Sequence, residues 1–251
     1  MLSVIIIAKD EAHNLHRCLN SVSWANEIIV LDSGSSDNTV VIAKEYTDKV
    51  YVTDWQGYGI QKQRALELTT NRWVLNLDAD ESINDSLKNE IQTCINQNGI
   101  DGYQIPINLH FYGKTLRYSC SPKHHIRLFK RQGASYSPNI VHEKILLPAK
   151  AKIGHLTTPI QHHCFQNLSH AVHKINLYST YSAKMRTDTN YSPGVIRALL
   201  SSMWMFFRCY FIQCGFLEGR DGFILAFLCA QGSFYRWIKM LYDAREKNFN
   251  S

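Results

Sequence analysis

The chain has no Cys-x-x-Cys pair, and its seven cysteines, at 18, 94, 120, 164, 209, 214 and 229, are scattered and odd in number. That pattern argues against a disulfide scaffold or a zinc ribbon and predicts a reducing compartment. No uncharged stretch reaches the roughly 18 residues of a confident membrane span. The apolar opening, residues 1–8, runs straight into Lys9-Asp10-Glu11 with no basic segment before it. It does not read as a signal peptide, so the chain is expected to start in the cytosol. Neither Gly-x-x-x-x-Gly-Lys nor Gly-x-Gly-x-x-Gly follows a strand, so a P-loop and a dinucleotide fold both lack their signature. Internal repeats and disordered linkers are also missing.

What is present suits one sizeable globular domain with a small appendage: 251 residues, 45% of them apolar. With 19% charged and 12% aromatic residues the chain is neither disordered nor of low complexity. The net charge of +6 hides a split. Residues 1–110 carry 8 Lys/Arg against 15 Asp/Glu, a net of −7, whereas 111–251 carry 19 against 6, a net of +13. An anionic ligand or surface is expected to meet the second half.

The first hundred residues alternate between strand and helix patterns. Residues 3–9 read as a buried strand, and 12–22 as an amphipathic helix with Leu15, Cys18, Leu19 and Val22 at helical spacing. Strand 27–32 precedes a helix over about 38–46, capped by Asp37 or a neighbouring serine. Strand 50–53, helix 58–68, strand 73–77 and helix 85–96 follow. This alternation predicts a parallel, doubly wound α/β sheet. Shorter strands are expected at 103–107, 126–130 and 141–147, and helices from about 168, strongly apolar between 195 and 241.

Ligands of open α/β sheets bind beyond the carboxyl ends of the strands. Three expected strand ends are polar: Ala8-Lys9-Asp10-Glu11, Leu31-Asp32-Ser33-Gly34-Ser35-Ser36-Asp37 and Leu77-Asp78-Ala79-Asp80-Glu81. Asp78 and Asp80 offer hard oxygen ligands for Mg²⁺ or Mn²⁺, or else cap a solvated turn. Asp32 is placed to accept a hydrogen bond from a base or ribose, or to close an ordinary turn. Between Asp101 and Asp188 one carboxylate, Glu143, stands among twelve Lys/Arg, held by an ion pair or positioned for work. The pairs His124-His125 and His162-His163 read as structural or phosphate-contacting, with one of them or His142 a further candidate for a metal shell.

Ile-Ala-Lys-Asp-Glu, Glu-Ile-Ile-Val-Leu-Asp-Ser-Gly-Ser-Ser-Asp-Asn-Thr and Val-Leu-Asn-Leu-Asp-Ala-Asp-Glu, in that order, resemble family 2 glycosyltransferases of the GT-A fold. Trp55 to Gln63, Arg127 to Arg131, Val141-His142-Glu143 and Asp221-Gly222-Phe223 narrow the likeness. They resemble the bacterial subgroup that adds a hexose, often glucose, to the inner core of lipopolysaccharide. Gln63 departs from the Asn that the subgroup favours. The resemblance implies a Rossmann-like, mostly parallel sheet with flanking helices and an apolar helical C-terminal extension. It divides the chain into a nucleotide-sugar half (1–110), an acceptor-side half (111–167) and a helical, membrane-associating region (168–251).

The resemblance also implies roles. Ala8 and Glu11 would meet the nucleotide, Asp32 the uracil, and Asp78 the ribose or metal-bound water. Asp80 would hold Mg²⁺ or Mn²⁺ against the diphosphate of a UDP-sugar, and Lys62 would approach the phosphates. Glu143 would be the general base of an inverting transfer, which needs no second protein acid when a metal stabilises the leaving group. Arg127 and Arg131, alternating with Leu128 and Phe129, would contact diphosphate or an acidic acceptor, or line a solvated strand face. Transfer to polyprenyl phosphate or another envelope glycan is the rival enzyme, and a silent sugar-nucleotide-binding scaffold the rival non-enzyme. A sugar nucleotidyltransferase would want a Gly-rich loop after the first strand. Nucleic acid is not an expected partner. Arg and aromatic residues flanking apolar faces from 195 to 241 suit helices lying at the cytoplasmic face of the inner membrane, or a packed helical subdomain.

Overall fold

The computed structural model describes residues 1–111, 113–118, 123–138, 143–163, 165, 167–185 and 193–249. The chain forms two compact units, Met1–Asn108 with Lys123–His163, and Leu109–Pro122 with Cys164–Ser251.

The first unit opens with β1 (Leu2–Ala8), α1 (Ala12–Val22), β2 (Glu27–Asp32), α2 (Thr39–Lys44), β3 (Val50–Val52), α3 (Tyr58–Glu67), β4 (Trp73–Asp78), β5 (Glu81–Ser82) and α4 (Asp85–Cys94). Every residue of β1 is buried, so the strand reads as one apolar run, yet its side chains still divide by the period of two. Leu2, Val4, Ile6 and Ala8 join α1 through Leu15, Cys18, Leu19 and Val22, and α4 through Leu87 and Ile91. Ile5 and Ile7 face the other way, onto Ala65 and Leu66 of α3. Helices therefore cover both faces, as a parallel sheet requires.

β6 (Gly102–Phe111), β7 (Lys114–Leu116), β8 (Lys123–Lys130), β9 (Ser135–Tyr136), β10 (Ile145–Leu146), β11 (Ile153–His155) and β12 (Ile160–His162) follow. The sheet order is β3-β2-β1-β4-β8-β6-β12-β5. β3, β2, β1 and β4 run parallel, and β8 enters antiparallel between β4 and β6. The registers Ala8 opposite Asp32 and Ile7 opposite Asp78 bring the carboxyl ends of β1, β2 and β4 to one level. The parallel α/β sheet expected from the alternating pattern is thus observed, with its polar strand ends on one edge. Of the strand expected at 141–147 the structure has the short β10, while Val141 and His142 lie outside the described residues.

In the second unit α5 (Leu168–Lys184), α6 (Val195–Phe207) and α7 (Arg220–Phe249) dominate, with a π-helical turn at Arg208–Ile212 and a 3-10 turn at Gly215–Glu218. Asn167 caps α5 by accepting from His170 N at 2.8 Å. Phe111, Leu116, Ala171, Leu225 and Leu228 form one core cluster, and Ala183, Ala198, Trp237 and Met240 another. Gly222 explains part of the Asp221-Gly222-Phe223 motif. A Cβ there would stand 1.9 Å from the carbonyl oxygen of Gly215, a backbone atom with nowhere to go.

Candidate active site

The β1–α1 and β2–α2 loops are laced together by short polar side chains. Asp10, at φ 53°, accepts from Ser36 N at 2.7 Å, and its own N–H donates to Ser35 Oγ at 2.8 Å. Asp37 accepts from Ala12 N, and Glu11 N donates to Thr39 Oγ1 at 2.9 Å. Asp32 is fully buried. One of its oxygens accepts from Gly34 N (2.9 Å) and Ser35 N (2.8 Å), and the other from the Ser35 hydroxyl. Gly34 makes this turn possible at φ 81°. The Ala8 carbonyl accepts from Ser33 N at 2.9 Å. Ala8, Glu11 and Asp32 are therefore gathered at one strand edge, as expected, and Asp32 closes the turn behind β2. A carboxylate has about four lone-pair sites, of which three are used.

Three consecutive residues of α3 fasten three different parts of the unit. Gln61 Nε2 donates to Ser33 Oγ and the Asp54 carbonyl, both at 2.9 Å. Gln63 Oε1 accepts from Tyr136 N at 2.9 Å, which ties α3 to β9 and gives the Asn-to-Gln departure a local role. Between them, Lys62 is only 4% exposed. Its ammonium lies 2.9 Å from Asp78 Oδ1 and 2.6 Å from Glu143 Oε1. The lysine expected near the phosphates thus joins the end of β4 to Glu143.

Arg127 completes the cluster. Its guanidinium Nη2 sits 2.9 Å from Asp78 Oδ2 and 2.7 Å from Glu81 Oε1. Asp78 N donates to Glu81 Oε2 at 2.9 Å. Arg127 lines no solvated face, because it is buried with Leu128 and Phe129 in the part of β8 that pairs with β4 and β6. Its contacts, with those of Lys62, set one cation against each oxygen of Asp78, so this carboxylate is charge-compensated by protein groups and keeps about two lone-pair sites. Arg131 is exposed in the turn after β8, outside this cluster.

Burial alone would raise the pKa of Asp78, but Arg127 and Lys62 outweigh it and hold the carboxyl well below its usual range. For Lys62, burial opposes the charge and Asp78 and Glu143 restore it, so its pKa is raised. Glu81 shifts upward because burial and the Asp78 charge prevail over Arg127. Neither Glu81 nor Tyr136, which is buried beside Arg127 and Glu143, was singled out as a site residue from sequence. Glu81 stood inside the Asp-Ala-Asp-Glu motif, whereas nothing local marked Tyr136.

β12 pairs with β5 and sets His162 opposite Glu81. His162 Nε2 comes within 3.3 Å of Asp80 Oδ2. Burial opposes a charge on this imidazole, yet Asp80, Glu81 and Asp78 raise its pKa. Among the described residues no group of three His, Cys, Asp or Glu side chains forms a ready metal cage. Asp80 and His162 nevertheless fit a divalent ion that takes one or two protein groups and fills its other positions with phosphate and water.

Residues 3–179 match the family described as glycosyl transferase family 2. An uncharacterized glycosyltransferase of Rickettsia bellii is 33% identical over 251 residues, covering 95% of this chain and 85% of its own length. The lipopolysaccharide core biosynthesis glycosyltransferase LpsC of Rhizobium meliloti is 28% identical, with 94% of this chain and 92% of LpsC covered. The crystal structure of S. aureus TarS 1–349 in complex with UDP-GlcNAc shares the fold, with a TM-score of 0.50 at 14% identity, over 98% of this chain and 92% of that one. The matched family, the relatives and the strand-edge site agree: the chain belongs to glycosyl transferase family 2 and is a glycosyltransferase with the GT-A fold.

Proposed function

We propose that the protein moves a hexosyl group, with glucose the first donor to test, from a UDP-sugar to a hydroxyl of lipopolysaccharide inner core, with inversion. One observation carries the reading: buried Lys62 clamps Glu143, the lone acid of a basic stretch, against Asp78 at the end of β4. A carboxylate for the acceptor proton and the strand edge for the donor then share one cation. The likeness to LpsC supports the acceptor class, and the +13 charge of residues 111–251 suits a phosphorylated glycan.

In this reading Glu143 takes the proton of the acceptor hydroxyl as its oxygen bonds to the sugar C1. The C1–O bond to the diphosphate breaks, and UDP leaves with the electron pair. Asp32 uses its remaining lone pair on the uracil, Ala8 and Glu11 line the nucleotide, and Asp78 faces the ribose. Asp80 with His162 holds Mg²⁺ or Mn²⁺, which when bound supplies Lewis-acid stabilisation of the leaving diphosphate. Lys62, between Asp78 and Glu143, fixes the base and adds positive charge on the donor side. A lipid-linked acceptor assigns the work to the cytoplasmic face of the inner membrane, with residues 168–251 as the associating region.

The test is turnover of UDP- and GDP-sugars on truncated core acceptors, with and without Mn²⁺. Metal-stimulated transfer from a UDP-hexose, UDP-glucose foremost, is expected. Turnover restricted to GDP-sugars, or to polyprenyl phosphate as acceptor, would overturn the donor or acceptor assignment. Absence of turnover with every donor would favour a silent scaffold.

A further inference from the structure

We propose that α6 and the turn after it form a monotopic docking face that lies flat in one leaflet of an anionic bilayer and does not cross it. The helix is amphipathic the wrong way round for water. Ile196, Leu200, Met203, Trp204, Phe207 and Phe211 recur at helical spacing and are all exposed, Ile196 by 75% and Met203 by 68%. The opposite stripe, which packs on α7 within the same unit, is small and polar. Ala198 is buried, Ser201 Oγ meets Ser233 Oγ at 2.7 Å, and Ser202 Oγ donates to the Ala230 carbonyl at 3.0 Å. A contiguous outward apolar stripe of this kind marks an interaction surface.

By length and composition Val195–Ile212 is apolar enough to span a membrane. Two features oppose that. Arg197 and Arg208 leave ten uncharged residues between them, roughly 15 Å of helix against a hydrocarbon core of about 30 Å. The serine contacts also seat the helix along α7, and a crossing helix would have to abandon them.

Charge selects the occupant. Arg208, in the turn that continues the stripe, and Arg220, at the start of α7, are both exposed. From 195 to 242 the only carboxylates are Glu218 and Asp221. Glu218 is buried and paired with Lys114 at 2.9 Å, and Asp221 lies 4.0 Å from both Lys114 and Arg220. An apolar stripe with cationic flanks and neutralised acids matches acyl chains under anionic headgroups. The exposed aromatics Trp204, Phe207 and Phe211, in ring contact in succession, suit the interfacial zone.

The face belongs to the second unit alone and rests on the membrane association proposed above for residues 168–251, but its test reads lipid binding and not the donor or acceptor. The test is co-flotation of the full chain with phosphatidylcholine vesicles and with vesicles of roughly three parts phosphatidylcholine to one part phosphatidylglycerol. Binding to the anionic vesicles is expected to be at least ~10-fold tighter and to weaken in high salt. Met203→Glu with Trp204→Glu should reduce it at least ~10-fold, and Arg208→Gln with Arg220→Gln should abolish the preference for phosphatidylglycerol. Met203→Leu with Trp204→Phe should bind like the parent, and circular dichroism and UDP binding of each variant report whether it folds. Absence of flotation with either vesicle, binding indifferent to the glutamates, or binding that resists alkaline extraction would overturn the proposal. So would a lipid-free dimer that the glutamates dissolve.

Discussion

Replacing Lys62 by Met removes the ammonium and keeps most of the volume. Breaking a buried ion pair from one side costs about 3–5 kcal/mol, because the partner charge stays buried. Two features soften the loss. Asp78 retains Arg127 at 2.9 Å, and the Glu143 side chain, 15% exposed, has water within reach when it turns. The expected destabilisation of Lys62→Met is therefore about 2–3 kcal/mol. In a Glu143→Gln background one of the stranded charges is already gone, and the same substitution should cost about 1–2 kcal/mol less. Urea unfolding of the parent, both single variants and the double variant gives the coupling energy directly. If the two effects add to within about 0.5 kcal/mol, the 2.6 Å contact carries no interaction energy and the clamp is refuted.

Gly222→Ala should lose about 2 kcal/mol or more of stability, since its Cβ would meet the Gly215 carbonyl oxygen at 1.9 Å; a thermal midpoint equal to the parent's would contradict the close packing. Glu27, at the other end of the sheet, accepts from Lys49, Ser3 and the Thr70 amide and hydroxyl. Burial would raise its pKa, but these donors bring it from 4.5 down to about 2. A lowered folded pKa gives stability that is present above about pH 4.5 and is lost as the pH falls toward 2, on the order of 3 kcal/mol in all. Glu27→Gln should flatten that part of the stability–pH curve, and an unchanged acid limb would remove Glu27 as its source.

The residues that fixed local structure were legible because their signals are periodic. Leu15, Cys18, Leu19 and Val22 mark α1, and both ends of β2 fall where its apolar run stops. The shared edge of β1, β2 and β4 followed from the parallel arrangement, so Ala8, Asp32 and Asp78 could be grouped before any coordinates. What escaped depends on neighbours distant in sequence. Lys62 and Glu143 are 81 residues apart, and nothing in either segment announces the contact. Arg127 was marked as a contact for diphosphate or an acidic acceptor, but its ion pairs with Asp78 and Glu81 depend on β8 lying beside β4, which the sequence around it does not announce. The pairing of β12 with β5, which delivers His162 to Asp80, is a short, polar and aperiodic match of the same kind. For α6 the apolar composition of 195–241 was legible, but composition does not tell which stripe of the helix faces inward.

The central claim is that Glu143 takes the acceptor proton at a site whose nucleotide contacts do not depend on it. Glu143→Gln, assayed side by side for sugar transfer and for UDP affinity by calorimetry, tests this most directly. Transfer should fall about 10²–10⁴-fold, the usual contribution of a general base, while UDP affinity stays within about 2-fold because the contacts proposed for uracil, ribose and metal involve other residues. Transfer near the parent rate, or a loss of UDP affinity that matches the loss of turnover, would contradict the account.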